Sequence, residues 1–131
     1  EYNRKMADTA KFFTRAELSC SHCGECEMDQ SFLDLIDRLR TAYGQPMSLS
    51  SAYRCIEHPV EVKKNKRGTH TYGRAVDVRV STGEAFKLLE IILTLPFSGV
   101  GFSQKGDHST RFIHIDDLTG PDFVRPTIWS Y

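Results

Sequence analysis

Two imidazoles and a carboxylate occur at spacings that suit a metal site. His70 lies between Gly68 and Gly73, which permit a tight bend, and Asp77 follows seven residues later. His114 occurs in a separate segment of alternating pattern. This donor set suits Zn²⁺, and three protein ligands leave one tetrahedral position open, as catalytic sites require. The pattern indicates metal-assisted hydrolysis, but such histidines are more often structural groups, so spacing alone does not decide.

Asp116 lies two residues after His114, so a strand would place both side chains on one face. Its carboxylate can accept a proton during hydrolysis, or it can accept a hydrogen bond from a ligand imidazole and fix the tautomer. The sequence supports both roles about equally. His108, beside Asp107 on the preceding loop, is a second candidate acid or base.

Hydrophobic periodicity and capping signals predict the elements that position these residues. Three helices are predicted: from Thr14 to about Cys20 with a Thr14–Glu17 capping box, over Ser31–Tyr43 with an end at Gly44, and from Ser81 to Leu95 with a Ser81–Glu84 capping box. Four strands are predicted: Met47–Ser50, Ala75–Val80, Gly99–Phe102 and Arg111–Asp116. The expected class is α+β, with a small, mainly antiparallel sheet flanked by helices.

Length and charge restrict the function classes. The 131 residues suit one domain over 1–131, with residues 1–12 as an N-terminal extension. The 17 basic and 17 acidic residues balance, so we expect no nucleic-acid partner. The longest apolar stretch, Leu88–Leu95, is shorter than the ~20 residues of a membrane span. We expect a monomer without a membrane span, and the first residues leave the export route open.

The four cysteines offer a second kind of chemistry. Cys20, Cys23 and Cys26 are each three residues apart, and Cys55 is adjacent to Arg54. The four thiolates can bind a structural Zn²⁺, they can form two disulfides, or they can remain core thiols. Three cysteines within one short loop favour the metal over two unstrained bridges.

Several segments occur in an order that resembles a known family. They are Ser50–Cys55, Gly68–Asp77, Gly99–Phe102, Phe112–Asp116 and Arg125–Tyr131. Together they resemble the zinc D-Ala-D-Ala carboxypeptidase group of peptidoglycan peptidases, in the branch frequent in bacteriophages and bacteria. The resemblance runs from about Phe13 to Tyr131. It implies the Hedgehog/DD-peptidase-like fold that this group shares with the Hedgehog signalling domain.

The resemblance implies roles for individual residues. The expected ligands of a catalytic Zn²⁺ are His70, Asp77 and His114. Arg54, flanked by Ser51 and Tyr53, is expected to bind a substrate carboxylate or carbonyl oxygen. A guanidinium suits this role because its planar fork bonds oxygen pairs and keeps its charge. His58 is expected in a turn beside the cleft and not as a ligand.

One position departs from the family pattern. Many relatives carry an acidic residue three positions before the last histidine ligand, where this chain has Arg111. The catalytic base must then come from elsewhere, and Asp116 and His108 are the candidates. The resemblance otherwise implies the residue types that hydrolysis needs.

The resemblance implies zinc-dependent hydrolysis of an amide bond in peptidoglycan stem peptides. The enzyme would be a D,D-carboxypeptidase or an endopeptidase, such as a phage lysis enzyme. It would be made in the cytoplasm and act on the stem peptide at the cell wall or in the periplasm. The alternative is a non-catalytic, zinc-containing module that binds the cell wall or a partner, and Arg111 favours it.

Overall fold

A computed structural model describes residues 6–7, 11–64 and 66–131 of the chain. Most of the N-terminal extension predicted over residues 1–12 lies outside these ranges. Within them, no helix is long and apolar enough to cross a bilayer.

The described residues form four helices and seven strands. The helices are α1 (Arg15–Leu18), α2 (Gln30–Tyr43), α3 (Pro59–Val62) and α4 (Thr82–Ile92). The strands are β1 (Met6–Ala7), β2 (Met28–Asp29), β3 (Ser48–Ser51), β4 (Ala75–Arg79), β5 (Gly99–Ser103), β6 (Phe112–Asp116) and β7 (Thr127–Ser130). One sheet has the order β3-β4-β6-β5-β7, and β1 pairs with β2. All pairs are antiparallel except β5 with β7, which confirms the predicted α+β class.

The capping box predicted at the start of α1 is present, and the one predicted at the start of α4 is not. Thr14 and Glu17 form the predicted capping box. Ser81 is the N-cap of α4, but it makes no side-chain capping hydrogen bond, so the second predicted box is wrong. The Glu84 carboxylate instead accepts a hydrogen bond from the Tyr43 hydroxyl. A tertiary partner has therefore taken the place of the local one.

One predicted helix end agrees with the structure and one does not. α2 ends at Gly44, as predicted, because a φ of 78° there favours glycine. α4 ends at Ile92, earlier than the predicted Leu95. The carbonyl of Ile91 accepts a hydrogen bond from the Thr94 amide, so the chain leaves the helix in a tight turn before it reaches the proline.

The predicted strands agree with β3, β4, β5 and β6 to within one residue at each end. The sequence pattern did not predict β7. This strand has only four residues, its side chains alternate between half-buried and exposed, and it pairs in parallel with β5. Its local pattern is therefore weak, and only its tertiary partner defines it.

The hydrophobic core lies between α2, α4 and one face of the sheet. It includes the buried side chains Phe32, Ile36, Leu39, Leu88, Ile92, Val76, Val78, Ile113 and Ile115. Burial of each such side chain contributes about 1.5–3 kcal/mol. Because strand residues alternate, Asp77, His114 and Asp116 lie on the opposite face. The core thus determines which face of the sheet presents the polar groups.

Asp29 joins the N-terminus of α2 to the sheet. Its carboxylate accepts hydrogen bonds from the amides of Ser31 and Phe32, and Oδ1 lies 2.9 Å from Arg74 Nη1. Burial raises the pKa of Asp29, but the Ser31 hydroxyl and the Arg74 charge lower it more, to below its ordinary value. The fold therefore stabilises the ionised carboxylate.

We predict that Asp29→Ala lowers the free energy of unfolding by about 1–2 kcal/mol at neutral pH, because α2 loses its cap and Arg74 loses an ion pair. Since the folded-state pKa is lowered, this contribution is complete above the ordinary Asp pKa and is lost as the pH falls through the folded-state pKa. Chemical denaturation at a series of acidic pH values measures it. Asp29→Asn keeps a capping oxygen without the charge and should cost less. A loss that does not change with pH would contradict the prediction.

Candidate metal centre

His70, Asp77 and His114 come together on the sheet face opposite the core. Asp77 Oδ1 lies 3.2 Å from His70 Nε2 and 3.0 Å from His114 Nδ1. All three residues are buried, and one ligand atom of each lies within 4.8 Å of the other two. The structure thus brings together the three side chains that the sequence analysis expects to bind a metal.

The sheet register and one tight turn place these side chains. Asp77 in β4 and His114 in β6 are directly paired. His70 lies in a 3₁₀ turn, Thr69–Tyr72, that ends at Gly73 with a φ of 71°. Only glycine adopts this φ without strain, so the turn can reverse within a few residues and carry His70 back to the sheet.

The far nitrogen of each imidazole is bonded to an oxygen acceptor. His70 Nδ1 lies 2.7 Å from the Ala52 carbonyl oxygen, and His114 Nε2 lies 2.7 Å from Asp116 Oδ2. Because these oxygens accept, the bonded nitrogens carry the protons and the other two turn lone pairs toward Asp77. Two lone pairs and a carboxylate oxygen then face one another, an arrangement that a cation stabilises. This donor set fits Zn²⁺.

The charges around the cluster shift its protonation. Burial lowers the pKa of His70 more than Asp77 raises it, so this imidazole is neutral at pH 7. Burial raises the pKa of Asp77, but the adjacent His114 and His70 side chains bring it well below its usual range. Burial lowers the pKa of His114, but Asp116 and Asp77 raise it more. A metal ion therefore competes with a proton for His114, which makes binding pH-dependent.

A protein-family model described as Peptidase M15 matches residues 11–116, which is most of the chain and includes all three cluster residues. The chain belongs to the peptidase M15 family. This match confirms the resemblance to zinc D-Ala-D-Ala carboxypeptidases, and the M15 family is zinc-dependent. Comparison with curated protein sequences finds no match.

Asp116 supports His114 from behind in this M15 family member. It is fully buried, and Arg125 Nε and Nη2 lie 2.9 and 2.8 Å from its two oxygens. The Leu118 amide also donates to Oδ1. Both oxygens of Asp116 accept hydrogen bonds, and Oδ2 lies beside the His114 nitrogen that faces away from Asp77. Of the two roles that the sequence leaves open, this geometry favours fixing the tautomer.

The sequence analysis did not predict Arg125 as a site residue. It lies nine residues beyond Asp116 and starts the last segment of the family resemblance, which is the only signal that marks it. Local periodicity does not predict a contact between Asp116 in β6 and a residue that precedes β7.

Two glycines in β5 let residues from the β7 side reach the site. β5 lies between β6 and β7 in the sheet. A Cβ on Gly99 would lie 2.5 Å from Arg125 Nε, and a Cβ on Gly101 would lie 2.5 Å from the Trp129 ring. The Trp129 ring packs on His114, with centroids 5.1 Å apart. A side chain in place of Gly99 would displace Arg125, and a side chain in place of Gly101 would displace the Trp129 ring.

Arg54 lies at the edge of the metal cluster formed by His70, Asp77 and His114. Its Nη2 is 4.0 Å from Asp77 Oδ2, and its Nη1 is 3.2 Å from Glu61 Oε2. The buried Glu61 also accepts hydrogen bonds from Lys64 Nζ and from the Gly68 amide, each at 3.0 Å. Glu61 therefore holds Arg54 and the start of the His70 turn together. No spacing in the sequence marks this residue, because its partners lie on three different segments.

The expected substrate-binding residues Ser51, Tyr53 and Arg54 line one cleft of about 210 Å³. His58, the N-cap of α3, lies on the same cleft. The three cluster residues do not line this cleft, but two of its lining residues lie next to Asp77: Ser51 is its strand partner, and Arg54 Nη2 is 4.0 Å from its carboxylate. Burial, reinforced by the nearby Glu27 charge, raises the pKa of Tyr53 to about 12.

The candidate base His108 and the departing position Arg111 are both outside the cluster. His108 is exposed in a 3₁₀ turn, His108–Thr110, with Nδ1 3.3 Å from Ser81 Oγ. Arg111 donates hydrogen bonds to the Gly106 carbonyl oxygen. In the described part of the chain, neither residue belongs to the group that could hold a metal.

The cysteines form a cluster of three residues and not of four. The sulfur atoms of Cys20, Cys23 and Cys55 lie within 4.8 Å of one another. Cys26 is outside this group and is buried in the hydrophobic core, because the chain turns at Gly24 (φ 77°) after Cys23. None of the four cysteines forms a disulfide in the structure.

We predict that Asp116→Asn weakens zinc binding about 10- to 100-fold, because an amide stabilises the His114 N–H less than a carboxylate does. Competition with a chromophoric zinc chelator measures the affinity. Asp117→Asn is the matched control, because Asp117 pairs with Arg74 at 2.6 Å and should not affect zinc binding. Equal affinities for Asp116→Asn and the wild type would contradict the supporting role.

We predict that Gly101→Ala lowers the free energy of unfolding by about 1–3 kcal/mol, because the new methyl group overlaps the Trp129 ring. Trp129 is the sole tryptophan of the chain, so its fluorescence reports the displacement directly. Gly83→Ala is the control, since a Cβ there meets nothing within 4 Å and Gly83 lies in α4. An unchanged emission spectrum in Gly101→Ala would rule out the predicted clash.

Proposed function

We propose that the protein is a zinc-dependent peptidase that hydrolyses an amide bond in peptidoglycan stem peptides, as a D,D-carboxypeptidase or an endopeptidase. The observation that carries this proposal is the convergence of His70 Nε2, Asp77 Oδ1 and His114 Nδ1 beside a cleft. Three ligands leave a coordination position open for water, as catalytic zinc requires. Membership of a metallopeptidase family supports the same reaction class.

A zinc ion held by these three residues supplies Lewis-acid activation of the water and of the scissile carbonyl. The residues of the chain do the remaining work. Ala52 and Asp116 hold the two imidazoles in the tautomers that direct lone pairs toward Asp77. The burial of all three ligands excludes bulk water from their far sides and strengthens the local electrostatic interactions.

Arg54 binds the substrate in this proposal. Its guanidinium is partly exposed, with 19% of the side chain accessible, and lies 4.0 Å from Asp77. It is therefore placed to pair with a substrate carboxylate or to stabilise the negative charge that develops on the carbonyl oxygen. Glu61 pairs with Nη1 and fixes its position, and the Arg54 side chain is among those that line the cleft.

We also propose Tyr131, which the sequence analysis did not single out, as a proton donor. Its ring packs against Phe112, with centroids 5.2 Å apart. Burial raises the pKa of Tyr131, and the nearby Asp77 charge adds to this effect, while a hydrogen bond with Trp129 opposes it. The phenol therefore stays protonated at neutral pH and can donate a hydrogen bond to a substrate oxygen or amine.

The second candidate function is a non-catalytic module that binds zinc and the cell wall. Two observations favour it. Position 111 carries an arginine, which is bonded to Gly106, and both oxygens of Asp116 are engaged by His114 and Arg125. A cluster that binds metal and a cleft that binds a peptide do not by themselves provide proton transfer.

In either case we propose that the protein acts as a monomer at the cell wall or in the periplasm. A phage lysis enzyme is one setting that fits this proposal. The balanced charge of the chain favours recognition through the cleft over general adhesion to the anionic cell wall.

Digestion of purified sacculi distinguishes the two functions. Mass spectrometry of the products should show release of terminal D-Ala or cleavage of cross-links. We expect this activity to be abolished by a chelator or by His70→Ala and to be restored in the wild type by Zn²⁺. A zinc-loaded protein that sediments with sacculi and releases no product would exclude the peptidase and support the binding module.

We predict that Arg54→Lys lowers kcat/KM about 100-fold while zinc content is unchanged, because an ammonium group lacks the planar fork that bonds oxygen pairs. Kinetics on isolated stem peptides, with metal analysis of the same samples, measure both quantities. Arg79→Lys is the matched control, because Arg79 is exposed and donates to the Ser109 carbonyl outside the cleft. Wild-type kcat/KM in Arg54→Lys would exclude the proposed role.

A further inference from the structure

A second group of side chains that could bind a metal is formed by residues other than those of the metal cluster. The thiols of Cys20, Cys23 and Cys55 are within 4.8 Å of one another. Cys20 and Cys23 belong to the turn that follows α1, and Cys55 belongs to the segment that follows β3. The cluster therefore joins two parts of the chain that are distant in sequence.

The turn that carries Cys20 and Cys23 is held by its backbone. The Cys20 amide donates to the Glu25 carbonyl at 2.7 Å, and the Gly24 amide donates to the Cys20 carbonyl at 2.9 Å. Gly24 has a φ of 77°, which lets the chain reverse directly after Cys23. This backbone presents two thiols, three residues apart, toward the same point.

The surroundings of Cys20 favour an anionic sulfur. Its Sγ accepts hydrogen bonds from the amide of His22 at 3.4 Å and from the amide of Cys55 at 3.3 Å. The thiolate is the form of cysteine that binds metals.

We propose that Cys20, Cys23 and Cys55 bind a second Zn²⁺ through three thiolates. With Zn–S bonds of about 2.3 Å, the sulfur atoms of a tetrahedral site lie roughly 3.8 Å apart. The observed cluster therefore needs only small side-chain shifts. A disulfide would use two of the sulfurs and leave the third, whereas a metal ion uses all three. Binding releases the proton of each thiol that is still protonated.

A solvent molecule would take the fourth coordination position of this zinc ion. Cys26 is in the core and outside the cluster. Both ring nitrogens of His58 are engaged: Nδ1 accepts from the Val60 amide at 3.1 Å, and Nε2 lies 3.2 Å from Ser21 Oγ. His58 would lose one of these hydrogen bonds on binding a metal. The described residues therefore supply three ligands.

This site would brace the backbone beside the cleft. Cys55 directly follows Arg54, and the Tyr53 amide donates to the Leu18 carbonyl of α1 at 3.3 Å. A metal ion bound to Cys55 and to the turn after α1 would lock the same two segments together. The inference stands on the thiol geometry and does not depend on peptidase activity.

Titration of the reduced, metal-free full chain with Co²⁺ tests the proposal. A thiolate–Co²⁺ site gives an intense charge-transfer band in the near ultraviolet, whereas a site of two histidines and one aspartate gives none. We expect the band in the wild type and in His70→Ala, which separates this site from the proposed catalytic one. Added Zn²⁺ should abolish the band by displacing Co²⁺.

Cysteine variants assign the ligands. Cys20→Ser and Cys55→Ser should each lose most of the band and one bound zinc per chain, measured by elemental analysis. Cys26→Ser and His58→Ala are the matched controls and should keep both. Loss of the band in either control would overturn the assignment of ligands. Absence of the band from folded, Co²⁺-loaded wild-type protein would overturn the site itself, even if a cysteine variant fails to fold. A disulfide between these cysteines in the zinc-loaded protein, detected by intact mass, would overturn it as well.

Discussion

The buried Asp77 carboxylate faces two imidazole nitrogens that both turn lone pairs toward it, and most other features of this surface serve that arrangement. Three electron-pair donors at such short separations repel one another unless a cation lies among them. The arrangement persists because the Ala52 carbonyl and the Asp116 carboxylate fix the far nitrogens of His70 and His114. The chemistry of the site therefore begins with hydrogen bonds that lie outside it.

The support for His114 extends across two further strands. Arg125 neutralises Asp116, and Trp129 covers the His114 ring, yet both come from the far side of β5. They reach β6 only because Gly99 and Gly101 leave the intervening surface of β5 without side chains. A small sheet can thus place an arginine and an aromatic ring against a metal ligand without a longer loop.

Two charged side chains, Glu61 and Arg54, connect the metal cluster with the cleft. Glu61 holds Arg54 on one side and the amide of Gly68 on the other, so the position of the guanidinium and the start of the His70 turn are set by one buried carboxylate. Arg54 is followed by Cys55, whose amide bonds to the Cys20 sulfur. The segment after β3 is therefore held from both sides, which keeps the Arg54 guanidinium in one place.

Local patterns were sufficient for the class of fold and for four of the five strands in the main sheet, whereas the expected metal ligands also depended on the family resemblance, because spacing alone did not decide between a metal site and structural histidines. Alternation in β4 and β6 places Asp77 and His114 on one face, and this depends only on neighbouring residues along the chain. Arg125, Glu61, the Tyr43 partner of Glu84 and the separation of Cys26 from the other cysteines were not predictable in this way. The Tyr43–Glu84 contact joins distant segments, and Glu61 and Arg125 meet their partners across irregular stretches of chain without a regular period. The free energy of such contacts is determined by how the helices and the sheet pack. The sequence by itself therefore determined which groups face the site, whereas only the tertiary structure decided which partners hold them there.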